Sequence, residues 1–300
     1  MTVAAKSLSV VVAAWNDPSL LRACLHSLAA ATQHAKFEVI VASPAGRGFE
    51  GVLATEFPQV MALTVGATPT VPELRKAGLD RATGDIVAFL EDHAAVAPEW
   101  AGALLAAYAS ADRAAVGGPV AQGSGLSTMD WGAYLFDYGR FMPPHAGGEV
   151  RELSGLNMSF SRALLESLDV LRAGVIEGPL LAELARRHVK LYLSPSAIVN
   201  QNKTYALGET LVSVYHLGRG YAGRRLEQAP ITARVVRAVA CALLPVVLLW
   251  RVLAAVLPKR QHTRRVMSSL GFLSLITLSW SIGECVGYLR GSGDSDSRWR

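Results

Sequence analysis

Residues 73–93 read ELRKAGLDRATGDIVAFLEDH, and this stretch decides the fold. Its first part has apolar residues at helical spacing and stops before Thr83-Gly84, which predicts a helix followed by a turn. The unbroken apolar run at residues 86–90 is typical of a buried strand. This strand runs directly into Glu91, Asp92 and His93, and open parallel sheets bind their ligands at the carboxyl ends of strands. The stretch therefore predicts an α/β fold with a ligand site at this triplet.

The same alternation of strand-like and helical patterns extends over about the first 200 residues. Further strands are predicted at residues 10–12, 37–42, 60–65 and 191–193, and helices at residues 18–31, 72–81, 98–111, 164–171 and 180–188. Alternating strands and helices are typical of a mostly parallel, Rossmann-like sheet with flanking helices. Residues 142–148, rich in Pro and Gly, predict a loop.

Composition narrows the class of protein. The chain has 300 residues, of which 51% are hydrophobic and 18% charged, and its mean hydropathy is +0.29, which excludes a disordered or fibrous protein. The three cysteines, at positions 24, 241 and 285, have no paired spacing, so neither a disulfide framework nor a thiolate zinc site is encoded. The net charge of +5 is carried mainly by basic clusters in the C-terminal third. No ladder of basic and aromatic residues points to nucleic acid.

Two long apolar segments follow residue 230, at residues 235–257 and 266–289. Each is long enough to cross a bilayer core of about 30 Å. Pro245, Arg237 and Arg251 interrupt the first segment and Glu284 the second, so a hairpin lying in the membrane interface is the alternative. We expect a domain at residues 1–230 and a membrane-associated or transmembrane helical segment with a short polar tail at residues 231–300.

Charge sets the expected orientation if both segments span. Eight Lys and Arg residues flank the near side of the two segments, against four in the loop at residues 259–265. The positive-inside rule then places the N-terminal domain in the cytoplasm, at the inner membrane. A hairpin held in the cytoplasmic leaflet by anionic lipid also accommodates the basic loop.

The triplet Glu91, Asp92 and His93 suggests a metal site. A strand that delivers such ligands to its carboxyl end can hold a hard divalent ion, and that ion can neutralise a diphosphate leaving group. Solvated acids at a strand end are the alternative interpretation.

Several blocks together resemble family 2 glycosyltransferases of the GT-A fold, of the membrane-associated bacterial type. They are residues 73–93, Pro98-Glu99-Trp100, residues 154–162 (SGLNMSFSR), residues 9–17 (SVVVAAWND) and residues 218–225 (GRGYAGRR). The resemblance covers about residues 7–225. It implies an inverting enzyme that moves a sugar from a nucleotide-sugar donor to a hydroxyl group with the help of a divalent metal, Mn²⁺ or Mg²⁺.

The resemblance also implies donor-binding residues. Glu91, Asp92 and His93 stand at the family's Asp-x-Asp block, which contacts the ribose and the metal-bound diphosphate, with Asp92 and His93 as the metal ligands. Asn16 and Asp17 lie in the turn that meets the nucleotide.

Further matches concern the acceptor side and the leaving group. Asn157 stands in the segment near the donor sugar, where its alternative role is to bond local backbone. Glu177 stands where the family places the catalytic base, and Glu183 is the fallback. Arg219, Arg224 and Arg225 are expected either to pair with diphosphate or to face lipid headgroups.

Two departures from the family pattern stand out. Ser43-Pro44-Ala45-Gly46 replaces acidic residues that usually read a uracil base, and Asn200 or Asn202 replaces a histidine that is sometimes a metal ligand. The expected acceptor is a lipid-linked or polysaccharide hydroxyl, as in cell-envelope polysaccharide biosynthesis. The altered blocks leave open the alternative of a non-catalytic, glycosyltransferase-like module that binds a nucleotide or a partner at the membrane.

Overall fold

A computed structural model describes residues 6–33, 35–225 and 229–295 as a mixed α/β structure. The strands are β1 (Leu8–Ala13), β2 (Glu38–Ser43), β3 (Met61–Thr64), β4 (Ile86–Glu91), β5 (Ala94–Val96), β6 (Ala115–Gly117), β7 (Val120–Gln122), β8 (Gly148–Val150), β9 (Met158–Ser161), β10 (Leu191–Leu193) and β11 (Val199–Gln201). The helices are α1 (Pro18–Ala31), α2 (Phe49–Glu56), α3 (Val71–Leu79), α4 (Trp100–Ser110), α5 (Thr128–Tyr138), α6 (Arg162–Glu166), α7 (Glu177–Arg186), α8 (Leu207–Arg225), α9 (Ile231–Ala240), α10 (Leu244–Val256), α11 (Thr263–Ser268) and α12 (Leu270–Arg290). Short 3-10 turns cover Gly139–Phe141, Asp169–Ala173 and Leu257–Lys259.

The main sheet has eight strands in the order β3-β2-β1-β4-β9-β6-β10-β8. The run β3-β2-β1-β4 is parallel, whereas β9 is antiparallel to both of its neighbours. A second sheet of three strands has the order β5-β11-β7. The predicted α/β class with a mostly parallel sheet is confirmed.

The core is built on β1 and β4, which pair in parallel from Leu8 and Ile86 to Ala13 and Glu91. Every residue of β1 is buried, as a parallel strand covered on both faces requires. Helix α3 packs on β1 at Gly78, where an added Cβ would collide with the side chain of Val11. The helix that precedes the triplet is thereby pressed onto the central strand.

Two predicted helices differ from the structure. The one expected at residues 164–171 divides into α6 and the 3-10 turn Asp169–Ala173. The one expected at residues 180–188 begins three residues earlier, at Glu177, because Pro179 is well tolerated in the first helical turn. Glu177, the candidate base, is therefore the first residue of α7.

Contacts divide the chain into two compact units. An α/β unit runs up to Gly123 and includes Phe141–Asn202, and a helical unit contains Ser124–Arg140 and the chain from Lys203 onward. The boundary expected at residue 230 falls inside the helical unit, because α5 and α8 pack on α12.

The apolar segments also fold differently from two straight helices. Residues 231–259 form a helix pair bent by 60°, Ile231–Ala240 and Leu244–Lys259, and the second apolar segment forms most of α12. Of the described helices, α12 alone is long and apolar enough to cross a membrane by itself, and the bent pair passes the same test only if it is taken as one span.

The glycine at position 78 provides a test of the contact between α3 and β1. We expect Gly78→Ala to lower the free energy of unfolding by about 1–3 kcal/mol, since the added methyl overpacks a stiff β-branched neighbour. The matched variant Gly51→Ala, on α2, meets open space and should raise it by about 0.5–1 kcal/mol. Urea unfolding of both variants measures this difference, and equal midpoints would contradict the close approach.

Candidate functional site

The site lies at the carboxyl edge of the main sheet, in the α/β unit. Because β1 and β4 are parallel and in register, the residues that follow Ala13 and Glu91 emerge side by side. They are Trp15 and Asn16 after β1, and Asp92 and His93 after β4.

Asp92 ties these two strand ends together. Its carboxylate has no exposed surface, and Oδ2 accepts hydrogen bonds from the backbone N–H of Trp15 at 2.9 Å and of Asn16 at 2.6 Å. Oδ1 accepts a further bond from Nδ2 of Asn16 at 2.5 Å. Asp92 therefore holds the turn after β1 in place, and its predicted role as a metal ligand stays a prediction.

His93 is also buried, with 3% of its surface exposed. Its Nδ1 lies 3.7 Å from a carboxylate oxygen of Glu91 and 3.7 Å from one of Asp92. Its Nε2 is buried without a hydrogen-bond partner, and an unpartnered imidazole nitrogen is a competent ligand for a transition metal. The backbone N–H of Asn202, a residue predicted to replace a family histidine, donates to the carbonyl of His93 at 2.9 Å.

No group of three or more His, Cys, Asp or Glu side chains in the described ranges is arranged to hold a metal ion. Within the triplet, Nε2 of His93 lacks a partner and the side chain of Glu91 is 21% exposed, and an oxygen of Glu91 lies 3.7 Å from the other ring nitrogen, Nδ1. Two protein ligands suffice only where diphosphate and water supply the others.

Arg75 is a site residue that sequence reasoning missed. It lies on α3, is 4% exposed, and its Nη2 donates to Oε1 of Glu91 at 2.7 Å and to the carbonyl of Gly155 at 2.9 Å. The sequence carried one signal for it: Arg75 precedes Gly78 by three residues, which places both on the helix face that contacts the sheet. A buried guanidinium in this place joins the triplet to the loop at residues 154–157.

Glu177, the predicted base, reaches the same loop. A Cβ added to Gly155 would collide with the Glu177 carboxylate and would lie 3.2 Å from Nη2 of Arg75. The carboxylate of Glu177 and the guanidinium of Arg75 therefore converge on the space that Gly155 leaves open. Glu177 is half-buried there. Glu91 and Glu177 were predicted from the sequence. The structure brings them together through Arg75, which was not predicted.

Glu183, the fallback base, has a different environment on α7. Its carboxylate accepts hydrogen bonds from Arg186 at 2.7 and 2.9 Å and from Arg187 at 2.6 Å. These bonds lower the pKa of Glu183 to about 2, with that from Arg186 the larger cause. A carboxylate held so firmly in its charged form is a weak proton acceptor.

Two other predicted residues have structural roles. Asn157 is buried, and its Nδ2 donates to the carbonyls of Pro119 and Ala197 while its Oδ1 accepts from the indole of Trp100. Asp17 caps α1, and hydrogen bonds from Ser19 hold the pKa of its carboxyl below the ordinary value. Contact of either residue with a donor stays a prediction.

The three predicted arginines lie on α8 in the helical unit. Arg219 donates to the carbonyl of Gly291 at 3.2 Å and lies 3.8 Å from Asp294, which secures the end of α12. Arg225 donates to the hydroxyl of Tyr221 at 2.8 Å, and Arg224 and Arg225 are exposed. Binding of diphosphate by these arginines stays a prediction.

A second feature at the sheet edge was missed by sequence reasoning. Directly after residues 43–46, the guanidinium of Arg47 lies 4.8 Å from the ring centre of Trp15. Its Nη2 also donates to the carbonyl of Asn16 at 3.3 Å. The pair places a flat aromatic and cationic surface beside the turn that Asp92 fixes.

Comparison with known proteins bears on the family. Residues 72–169 match the family described as "Glycosyl transferase family 2". This match contains α3, β4 and the triplet, together with Asn157. No curated protein matches the chain in sequence.

Solved structures bear on the fold. The mannosyltransferase PcManGT from Pyrobaculum calidifontis, solved in complex with GDP-Man and Mn²⁺, is 18% identical with a TM-score of 0.56, covering 95% of this chain and 87% of its own. TarS 1-349 from S. aureus, solved in complex with UDP-GlcNAc, is 14% identical with a TM-score of 0.51, covering 91% of each chain. At such low identity the likeness concerns the fold, and the expected GT-A fold is confirmed.

The hydrogen bonds of Asp92 predict a stability effect. We expect Asp92→Asn to lower the free energy of unfolding by about 1–3 kcal/mol, because the new NH₂ group faces N–H donors that then lose their acceptor. The matched variant Asp80→Asn, at an exposed ion pair with Lys76, should stay within about 0.5 kcal/mol of the parent. Chemical denaturation of the two variants checks this, and a neutral Asp92→Asn would show that the turn after β1 does not depend on the carboxylate.

Proposed function

We propose that this chain, whose residues 72–169 match glycosyltransferase family 2, transfers a sugar with inversion from a nucleotide-sugar donor to a hydroxyl acceptor. The observation that carries the proposal is the convergence of Glu177 and Arg75 at Gly155, with Arg75 bonded to Glu91. The buried guanidinium of Arg75 thereby joins the Glu177 carboxylate, the proposed proton acceptor, to the triplet that is expected to bind the donor.

The proposed reaction is a single displacement at the anomeric carbon. The acceptor hydroxyl gives its proton to the Glu177 carboxylate while its oxygen forms the new bond to that carbon. The bond from the anomeric carbon to the diphosphate oxygen breaks, and the nucleoside diphosphate leaves with the electron pair. Attack opposite the leaving group inverts the configuration, and one base suffices.

The chain's own residues position the two partners of this step. Asp92 holds the turn at Asn16, where the nucleotide is expected, and Arg75 fixes the carboxylate of Glu91. Gly155 leaves room for the Glu177 carboxylate, since a Cβ there would collide with it. Preorganised groups of this kind lower the barrier by orientation.

We include a divalent ion, Mn²⁺ or Mg²⁺, in the proposal. The predicted ligands Asp92 and His93, with Glu91 beside them, are the residues that would hold it, and the solved structure of PcManGT contains Mn²⁺ together with GDP-Man. When bound, such an ion neutralises the charge that develops on a leaving diphosphate.

The acceptor and location belong to the same proposal. A lipid-linked or polysaccharide hydroxyl is the acceptor class, and the membrane, with the catalytic domain on its cytoplasmic face, is the place. The apolar helices after residue 230 support the membrane location. A non-catalytic module that binds a nucleotide is the outcome to be excluded by experiment.

The donor prediction is tested with the purified chain and no acceptor. We expect one of UDP, GDP, dTDP and CMP to raise the unfolding midpoint, and to do so more strongly with Mn²⁺ than without it. At a hundred times its Kd a ligand stabilises the native state by about 2.7 kcal/mol, which differential scanning fluorimetry detects. Absence of any shift would contradict a preformed donor site.

The base prediction is tested by Glu177→Gln. We expect turnover, measured as nucleoside diphosphate release from the matching nucleotide sugar, to fall by about a hundredfold to ten thousandfold, because the amide cannot accept the proton. The midpoint shift with the nucleotide should persist. Glu183→Gln, on the same helix, is the matched control and should keep most of the activity. Equal activity of the two variants would remove Glu177 from the mechanism. Absence of turnover in the parent chain with every nucleotide sugar would favour the non-catalytic module.

A further inference from the structure

Helix α12, the one described helix that could cross a membrane alone, is closely paired with α8. The hydroxyl of Ser279 donates to the carbonyl of Leu211 at 2.7 Å, across a separation of 68 residues. The same separation relates Gly283 to Tyr215, where an added Cβ would strike the carbonyl. The two helices therefore run parallel, with their backbones in contact.

The pairing continues to the ends of both helices. A Cβ added to Gly287 would strike the carbonyl of Arg219, and one added to Gly223 would strike the backbone of Ser292. Small residues at these positions allow this close approach. The N-terminal part of α12 packs on α5, where a Cβ at Gly132 would lie 2.9 Å from Cβ of Phe272.

This partnership opposes a transmembrane position for α12. By the constant separation, Glu209 of α8 lies level with the middle of α12, and His216 and Arg219 lie level with its second half. A spanning α12 would carry these groups into hydrocarbon, where ionisable side chains are costly. It would also immerse the irregular chain before Leu207, whose backbone groups need partners that lipid does not provide.

The most exposed apolar residues lie elsewhere, on the bent pair. We call the following set the apolar ridge, and each member is 64–70% exposed: Ile231, Val236, Val239, Leu243, Val246 and Trp250. The ridge runs along α9 and over the 60° bend into α10. At about 1.5 Å per residue α9 is roughly 15 Å long, too short to cross a bilayer core, and the bend prevents a straight continuation.

The orientation of the ridge is fixed by Arg234. Its guanidinium donates to the carbonyls of Tyr288 at 2.7 Å and Leu289 at 3.2 Å, at the C-terminal end of α12. The polar side of α9 is thereby turned toward the protein and the apolar side outward. The chain after α10 is basic, with Arg260, Arg264 and Arg265 exposed. Exposed apolar residues next to such a cluster match the surface of an anionic leaflet.

We propose that the apolar ridge lies in the plane of one anionic lipid leaflet and that the chain does not cross the membrane. This inference rests on the membrane location in the proposed function and gives it a topology. The loop at residues 259–265 then lies on the same side of the membrane as the rest of the chain. A lipid leaflet is the one occupant proposed for the ridge.

Topology is tested by labelling single cysteines in the full chain with a membrane-impermeant maleimide. Gln261→Cys reports on the loop and Arg172→Cys, whose side chain is 84% exposed, on the α/β unit, with the parent chain giving the background from native cysteines. We expect both sites to be protected in sealed cells and labelled in opened ones. Labelling of Gln261→Cys alone in sealed cells would establish a span and overturn the inference. A chain absent from the membrane fraction would instead overturn the location itself.

The contact surface is tested by flotation of the purified chain with vesicles of phosphatidylcholine, with and without phosphatidylglycerol. We expect binding to the anionic vesicles and at least a tenfold loss for Trp250→Glu, with an unchanged unfolding midpoint because the side chain is exposed. The matched variant is Val212→Glu, on α8 and 58% exposed, which should bind like the parent. Equal loss in both variants would indicate that α8 and α12 insert together. If neither variant loses binding, another surface of the chain contacts the vesicles and the inference is wrong. If Trp250→Glu dissociates a dimer, a second copy of the chain covers the ridge.

Discussion

A carboxylate without exposed surface needs a donor for each of its oxygens, and Asp92 finds these donors in the turn at Trp15 and Asn16. Because β1 and β4 are parallel neighbours, this single side chain determines how the two strand ends lie relative to each other. The position of His93, one residue further, follows from it. So does the position of Trp15, against which Arg47 packs. The end of the site that is proposed to bind the nucleotide sugar thus depends on one desolvated charge and its hydrogen bonds.

The proposed catalytic end of the site depends on a second buried charge. Arg75 has little exposed surface, and it is compensated by the carboxylate of Glu91 and the carbonyl of Gly155. A buried charge pair contributes little net stability, but breaking it leaves an uncompensated charge, so its geometry is tightly held. Since Gly155 also admits the carboxylate of Glu177, the same guanidinium relates the proposed base to the proposed donor block. Glu183, paired with Arg186 and Arg187 on the same helix, has no such contact with the loop at Gly155.

The helical unit follows a different physical rule. Its cohesion comes from backbone contact between α8 and α12, made possible by Gly218, Gly223, Gly283 and Gly287. Close helix contact at small residues occurs in both water and membranes, so the pairing alone does not reveal the surroundings. The polar residues of α8 indicate the surroundings, because α8 is packed on α12 and the two helices share one environment. Exposed apolar area is then concentrated on α9 and α10, whose bend suits an interface better than a span.

The sequence by itself determined the α/β class, the strand at residues 86–90 and the triplet at its end, because unbroken apolar runs and helical periodicity are local signals. Helix α1 was predicted with its observed bounds. The resemblance also pointed to Glu177. Only the tertiary structure showed that Asp92 holds the turn after β1 and that Arg75 joins Glu91 to the loop at Gly155. Asp92 lies 76 and 77 positions from the two backbone groups it binds, and Arg75 lies 80 positions from Gly155. It also showed that α9 is fixed to the backbone of α12, more than 50 residues away, whereas the break before α10 has a local signal in Pro245. Contacts at such separations arise from packing, and no local pattern encodes them.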